Sequence, residues 1–265
     1  MNNAIGYANY GCDPYYNMAV DEFLFQQAMD KPSVIFLRLY TWNEGAITFG
    51  YNQNINKAVI HDKLGTTPLI RRVTGGRALF HDPSELTYSI IVNTDRLESK
   101  KLTGSIQKTS QSISEALIDF LGELKLSSHY VRHSADALRG PKFFHTAPCF
   151  NSSSKFEIET DGKKIIASAQ RRIGEILLQH GAVKINGIKN HPALNLNIDQ
   201  NGSDLKILSS NNFNTLQTIF FNSMAKNLGF KVVKKVFSPS EAELIKSFSI
   251  NLKKNSINKR NIVKQ

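Results

Sequence analysis

The sequence predicts an α+β fold, a mixed and mostly antiparallel sheet flanked by helices. Two β-rich runs flank Asp161-Gly162, and strand, two-residue DG turn, strand is a strong short-range hairpin signal. Apolar residues recur at helical spacing near the start, the middle and the end of the chain. Between them, strand-like runs follow one another without the regular strand-helix alternation of a parallel α/β protein.

Each element has its own reason. Asp13-Pro14 reads as an N-cap with proline at the first helical position, and Met18, Ala19, Phe23, Leu24 and Ala28 carry a helix over roughly 14–29. Residues 34–40 (VIFLRLY) and 46–51 read as two antiparallel strands around the turn 42–45. Residues 68–72 and 86–92 read as a second pair, joined by a glycine turn and a loop. Ile106, Ile113, Leu117, Phe120, Leu121 and Leu124 define one face of a helix over 104–124. A loop over 127–154 leads to strands at 156–160, 164–170 and 175–184. Leu216, Ile219, Phe220, Met224 and Leu228 mark a later helix, and Ser238-Pro239-Ser240-Glu241 is a capping box opening a short last one. The expected organisation is a catalytic unit over 1–210, a helical extension over 211–250 and a basic, flexible tail over 251–265.

The 265 residues carry 33 Lys plus Arg against 22 Asp plus Glu, a net charge of +11. Residues 253–265 hold five of those charges and no acidic side chain, which leaves +6 on the rest. A basic chain favours acidic partners by steering. It has no helix-turn-helix, zinc-finger or aromatic RNA-binding pattern, which argues against nucleic acid. Its apolar runs fall far short of the ~20 residues of a membrane span, and the first residues lack a signal-peptide pattern. The expected compartment is the cytoplasm. Two cysteines make no disulfide framework and, without paired ligands, no zinc site.

The densest motif is RRVTGGRALFHDPSELTYS, residues 71–89. Its glycines let backbone approach a ligand closely, and Arg71, Arg72 and Arg77 surround them with cationic donors, suited to a phosphate or a phosphopantetheine arm. For Gly-Gly alone, a hairpin turn with solvated arginines is the commoner arrangement. Cys149, in a polar Pro-Cys-Phe loop, is either a thiolate nucleophile or a small packing residue. Lys163 and Lys164 should point to opposite faces of a strand, so one of them faces the ligand side or its rim. His81, His145 and His180 are each a base or a sheet or loop histidine with its hydrogen bonds satisfied.

Five segments in order, MAVDEFL, RLYTWNEGAITFGYNQN, the glycine motif, APCF and DGKKIIASAQRRIGEILLQHGAV, together resemble the biotin/lipoate protein ligase superfamily. Arg77 in place of a third glycine, Glu85 before Leu-Thr-Tyr-Ser, and Cys149 make the chain most similar to the superfamily's octanoyl-transferring branch. The resemblance implies the class II synthetase-like catalytic fold. It further implies octanoyl transfer from acyl carrier protein to a lysine of glycine cleavage H protein or a lipoyl domain. It assigns Cys149 as nucleophile and Lys164 as the lysine that lowers the thiol pKa. Arg72, Gly75, Gly76, Arg77, His81, Ser168 and Ala169 become the acyl and substrate-binding walls. No cofactor, metal, membrane or nucleic-acid partner is implied, and a monomer is expected. ATP and Mg enter only for the alternative lipoate-protein ligase. A second alternative is an amidotransferase that takes octanoyl from another lipoyl domain, and a basic binding module is the non-enzyme alternative. Ala167 stands where the superfamily usually has glycine.

Overall fold

The computed structural model describes residues 2–130, 158–184, 189–194 and 210–263. Its centre is an eight-stranded sheet in the order β11-β1-β2-β6-β10-β9-β8-β7. These strands are β1 (Asn3–Cys12), β2 (Ile35–Trp42), β6 (Leu86–Asn93), β7 (His129–Tyr130), β8 (Ile158–Thr160), β9 (Lys163–Ile173), β10 (Ile176–Val183) and β11 (Lys231–Lys234). β1 pairs in parallel with β2 and β11, and the other neighbours are antiparallel. The mixed, mostly antiparallel α+β architecture is thus the observed one. A second sheet, β4-β3-β5, is built from β3 (Ala46–Phe49), β4 (Leu69–Arg71) and β5 (Leu79–His81). One turn of helix, α2 (Ile55–Ala58), precedes β4.

Long helices cover both faces of the large sheet. α3 (Ile106–Glu123) and α4 (Ser210–Leu228) pack Phe120, Leu121, Phe220 and Met224 against Leu37, Leu39, Tyr88 and Ile90. On the opposite face, α1 (Pro14–Met29) and α5 (Pro239–Val263) pack Phe23, Leu24 and Ile245 against Phe36, Ile91 and Leu178. The Asp13 carboxylate caps α1 by accepting from the amides of Tyr15 and Tyr16 at 2.9 and 3.0 Å. At α5 the capping box forms as the sequence reads, with the Ser238 amide donating to Glu241 at 2.8 Å. Among the described residues no helix is long and apolar enough to cross a membrane.

Four expectations change. β2 and β3 are not a hairpin: the chain leaves the large sheet after Trp42, and β3 pairs in parallel with β4 and antiparallel with β5. β4 and β6 are likewise unpaired, because they belong to different sheets. β1 and β11 carry weak strand signals of their own and are formed by mutual parallel pairing at the sheet edge. The last helix is not short. It runs to Val263 and takes in most of the stretch expected as a flexible tail, with Ser256 buried and donating to the Leu69 carbonyl at 2.7 Å.

Candidate active site

Between the two sheets, on the α1 side, lies a narrow slot lined by residues of both sheets and of α1. One wall is a row of residues in register across four strands: Tyr40 of β2 opposite Thr87 of β6, Thr87 opposite Ala182 of β10, and Ala182 opposite Ala167 of β9. Ala169 and His180, with the backbone at Ser168 and Gly181, continue this wall, Arg72, Leu79 and His81 form the roof, and Met18 of α1 closes the inner end. The surface is mostly apolar, and the small side chains of β9 and β10 leave the space open.

The roof is a braced loop. The Arg72 guanidinium donates to the carbonyls of Gly75 and Arg77, both at 2.9 Å, and to Thr48 Oγ1 at 2.8 Å. Gly76 has a φ of +88°, and a Cβ there would press on Arg72 and Ala169. Where β3 ends, a Cβ on Gly50 would lie 2.0 Å from the Gly76 carbonyl oxygen, so two backbones cross in contact. Arg71 is also engaged, donating to Gly50 O at 3.2 Å and lying over the Phe49 ring. These two arginines are braces rather than solvated turn residues.

Two buried threonine-histidine-carboxylate sets flank the slot. His81 bonds Thr48 through Nε2 at 2.7 Å and Glu85 through Nδ1 at 2.6 Å, and Trp42 stacks on its ring. Burial pushes the His81 pKa down, keeping the ring neutral. Burial opposes ionisation of Glu85, yet its partners His81 and Lys184 outweigh it and bring its pKa down to about 2. With Glu85 ionised, the hydrogen-bond network assigns the proton to Nδ1, and Nε2 accepts from Thr48. Both His81 nitrogens are therefore occupied, which suits a wall and not a general base. His180 bonds Thr74 at 2.6 Å and Asp21 at 3.1 Å. Burial would raise the Asp21 pKa, but the His180 hydrogen bond and the Arg38 charge hold it below the usual range. His180 is thus a satisfied sheet histidine.

A β-bulge decides where Lys164 points. Ile158 pairs with Ile166 and Glu159 with Lys164, so Ile165 is an extra residue in β9. Ile165 and Ile166 both join the core on the α3 face. Lys164 therefore falls on the same face as Ala167, although an odd separation of three would put them on opposite faces of a regular strand. Lys164 is half-buried, and Lys163 is exposed. Beyond Ala182 on β10, the buried Lys184 ion-pairs with Glu85 and donates to the Phe80 carbonyl at 2.8 Å.

Of the residues singled out from sequence, Arg72, His81 and Ala169 line the slot, whereas Ser168 borders it with its backbone and turns its hydroxyl to Tyr88 on the α3 face. Gly75, Gly76 and Arg77 form the loop that Arg72 holds, and Lys164 lies further along the β9 wall. Cys149 and His145 fall outside the described residues. Ala167 keeps its methyl in the slot wall. Sequence reasoning passed over Met18, Tyr40, Thr87 and Ala182 as site residues, since each looks like an ordinary core position. A signal for Lys184 existed in a lysine ending an otherwise apolar strand. Among the described residues no group of three His, Cys, Asp or Glu is placed to hold a metal ion.

Comparison with known proteins agrees with this architecture. Residues 13–209 match the family model for the lipoyl protein ligase A/B catalytic domain. Octanoyltransferase LipM of Bacillus cereus is 34% identical over 186 residues, covering 68% of this chain and 64% of that relative's length. Two solved structures share the fold. Lipoate-protein ligase A bound with ATP has a TM-score of 0.70 and 19% identity over 94% of this chain and 95% of its own. A bi-partite lipoate protein ligase from Thermoplasma acidophilum has a TM-score of 0.67 and 16% identity over 94% and 92%. The chain is a member of the lipoyl protein ligase A/B catalytic domain family.

Proposed function

We propose that this protein is an octanoyltransferase of protein lipoylation, moving an octanoyl group from acyl carrier protein to a lysine of glycine cleavage H protein or a lipoyl domain. The slot carries the reading: it is narrow, mostly apolar, closed at its inner end and roofed by a loop braced through Arg72. That shape suits an unbranched acyl chain with its carbonyl at the open end. The similarity to LipM relatives supports the same chemistry.

In this reading the Cys149 thiolate attacks the thioester carbonyl carbon, the bond to the carrier's sulfur breaks, and the carrier leaves as a thiolate that takes up a proton. The Lys164 ammonium favours the Cys149 thiolate and stabilises the tetrahedral oxyanion. A neutral lysine amine of the acceptor then attacks the octanoyl-Cys149 carbonyl. The carbon–sulfur bond breaks, the amide forms, and the amine's proton passes to the departing thiolate. Thioester is exchanged for thioester and then for amide, so neither ATP nor a metal is required. The basic body draws acidic carrier and acceptor domains, in a cytoplasmic setting.

Intact mass spectrometry after incubation with octanoyl-acyl carrier protein tests the proposal. Wild type should gain one octanoyl group and Cys149→Ser none, and full transfer by Cys149→Ser would overturn the assignment. Because the fold is shared with a ligase solved with ATP, a donor panel belongs in the same assay. Activity only with free lipoate and ATP would identify a ligase, and activity only with octanoyl-H protein an amidotransferase.

A further inference from the structure

The slot has a direction. At its open end Leu79 and Ala169 are partly exposed, and at the inner end Met18 and Tyr40 are 4% and 0% exposed. Met18 and Tyr40 pack into one buried cluster with Tyr15, Trp42, Ala46 and Ile70. The in-register row gives its scale. Neighbouring strands lie ~4.8 Å apart, so β9 to β6 is about 10 Å and β9 to β2 about 14 Å. Tyr40 and Met18 fill the last step. An eight-carbon chain has seven carbon–carbon bonds and spans about 8 Å, taking the reach of an extended backbone as ~1.2 Å per bond. An extended eight-carbon chain entering past β9 therefore reaches as far as β6, and a chain two carbons longer reaches toward the Met18 and Tyr40 end wall.

The two wall residues are held differently. Tyr40 donates its hydroxyl to Asp21 at 3.2 Å, and the Arg38 guanidinium lies over its ring at 3.9 Å, so a buried polar network fixes it. Met18 is held by apolar packing, and its unbranched thioether adapts or can be truncated without leaving a polar group unpaired. We infer that Met18 is the acyl-length determinant of this protein, its side chain stopping the terminal methyl of a bound octanoyl chain. This rests on the acyl-transfer reading above and adds the residue that selects among acyl donors.

The test measures kcat/KM for hexanoyl-, octanoyl-, decanoyl- and dodecanoyl-acyl carrier protein with wild type, Met18→Ala and Met18→Phe. Two further buried methylenes are worth roughly tenfold. Met18→Ala should raise the decanoyl-to-octanoyl ratio by about that factor, and Met18→Phe should raise the hexanoyl-to-octanoyl ratio in the opposite sense. Each variant is melted first, and Met18→Val replaces Met18→Ala if the latter unfolds at the assay temperature. Calorimetric binding of free octanoate and decanoate reads the same preference without any transfer step. Ratios within twofold of wild type in both measurements would overturn the role of Met18. A wild type that binds octanoate selectively, and whose preference shifts in the variants, but that transfers from no carrier thioester, would leave the determinant standing and refute the transferase reading.

Discussion

Replacing Glu85 by glutamine should destabilise the protein by about 3 kcal/mol at neutral pH and remove a defined part of its acid sensitivity. Glu85 is fully buried, accepts from Thr87 at 2.7 Å, bonds His81 and ion-pairs with Lys184, itself 3% exposed. Its pKa falls from 4.5 to about 2 in the fold. That fall, at ~1.4 kcal/mol per pH unit, corresponds to roughly 3 kcal/mol of preference for the ionised form. The cost of stripping one partner from a buried ion pair, about 3–5 kcal/mol, points to the same size. Because the folded pKa is depressed, this stability is present above pH 4.5 and is lost as pH falls toward 2. Urea denaturation of wild type and Glu85→Gln from pH 7 to pH 3 provides the assay. The stability difference should be largest at neutral pH and shrink below pH 4.5. The double variant Glu85→Gln/Lys184→Met should lose less than the two single variants together, since no unpaired ammonium remains. A neutral-pH difference under about 1 kcal/mol, or one that does not vary with pH, would refute the ionised pair.

Other outcomes follow from the same contacts. Gly50→Ala forces the glycine loop off β3, so octanoyl transfer should fall at least about tenfold while far-UV circular dichroism stays native; unchanged kinetics would show that the loop can shift freely. Asp13→Ala removes the cap of α1 and should cost about 1 kcal/mol in chemical denaturation. Truncation after Leu252 deletes Ser256 and its bond to Leu69, and should lower stability by about 1 kcal/mol or more; an unchanged melting temperature would restore the view of a dispensable tail. Tyr88→Phe removes the buried hydroxyl shared by Ser168 at 2.7 Å and Gln179 at 3.0 Å, with an expected cost of about 1–3 kcal/mol in the same measurement.

Local chemistry made much of the fold legible. The Asp13-Pro14 start of α1, the face of α3, the DG hairpin and the Ser238–Glu241 box all depend on residues a few positions apart, and all form. The ordered motifs likewise pointed to the glycine loop and to β9 and β10. What pairs with what was not local. After Trp42 nothing in Asn43-Glu44-Gly45 distinguishes a hairpin turn from a passage to another sheet, and that choice rests on β4 and β5 offering β3 two partners. β1 has too many small and polar residues to announce a strand, and only the edges of β2 and β11 make it one.

The sequence by itself determined the α+β class, the basic charge and the composition of the glycine loop, because propensity, capping and turn chemistry act over short separations. Tertiary structure decided the site. It set Arg72 beneath carbonyls three and five residues away, turned Lys164 through a bulge onto the face of Ala167, and buried Lys184 against Glu85. It also brought Met18, from the first helix, to the end of a slot whose wall comes from four strands. Each of these depends on register and packing between segments far apart in the chain. Met18 and Lys164 carry no local signal of that placement, since a core methionine and a strand lysine look the same wherever the fold puts them.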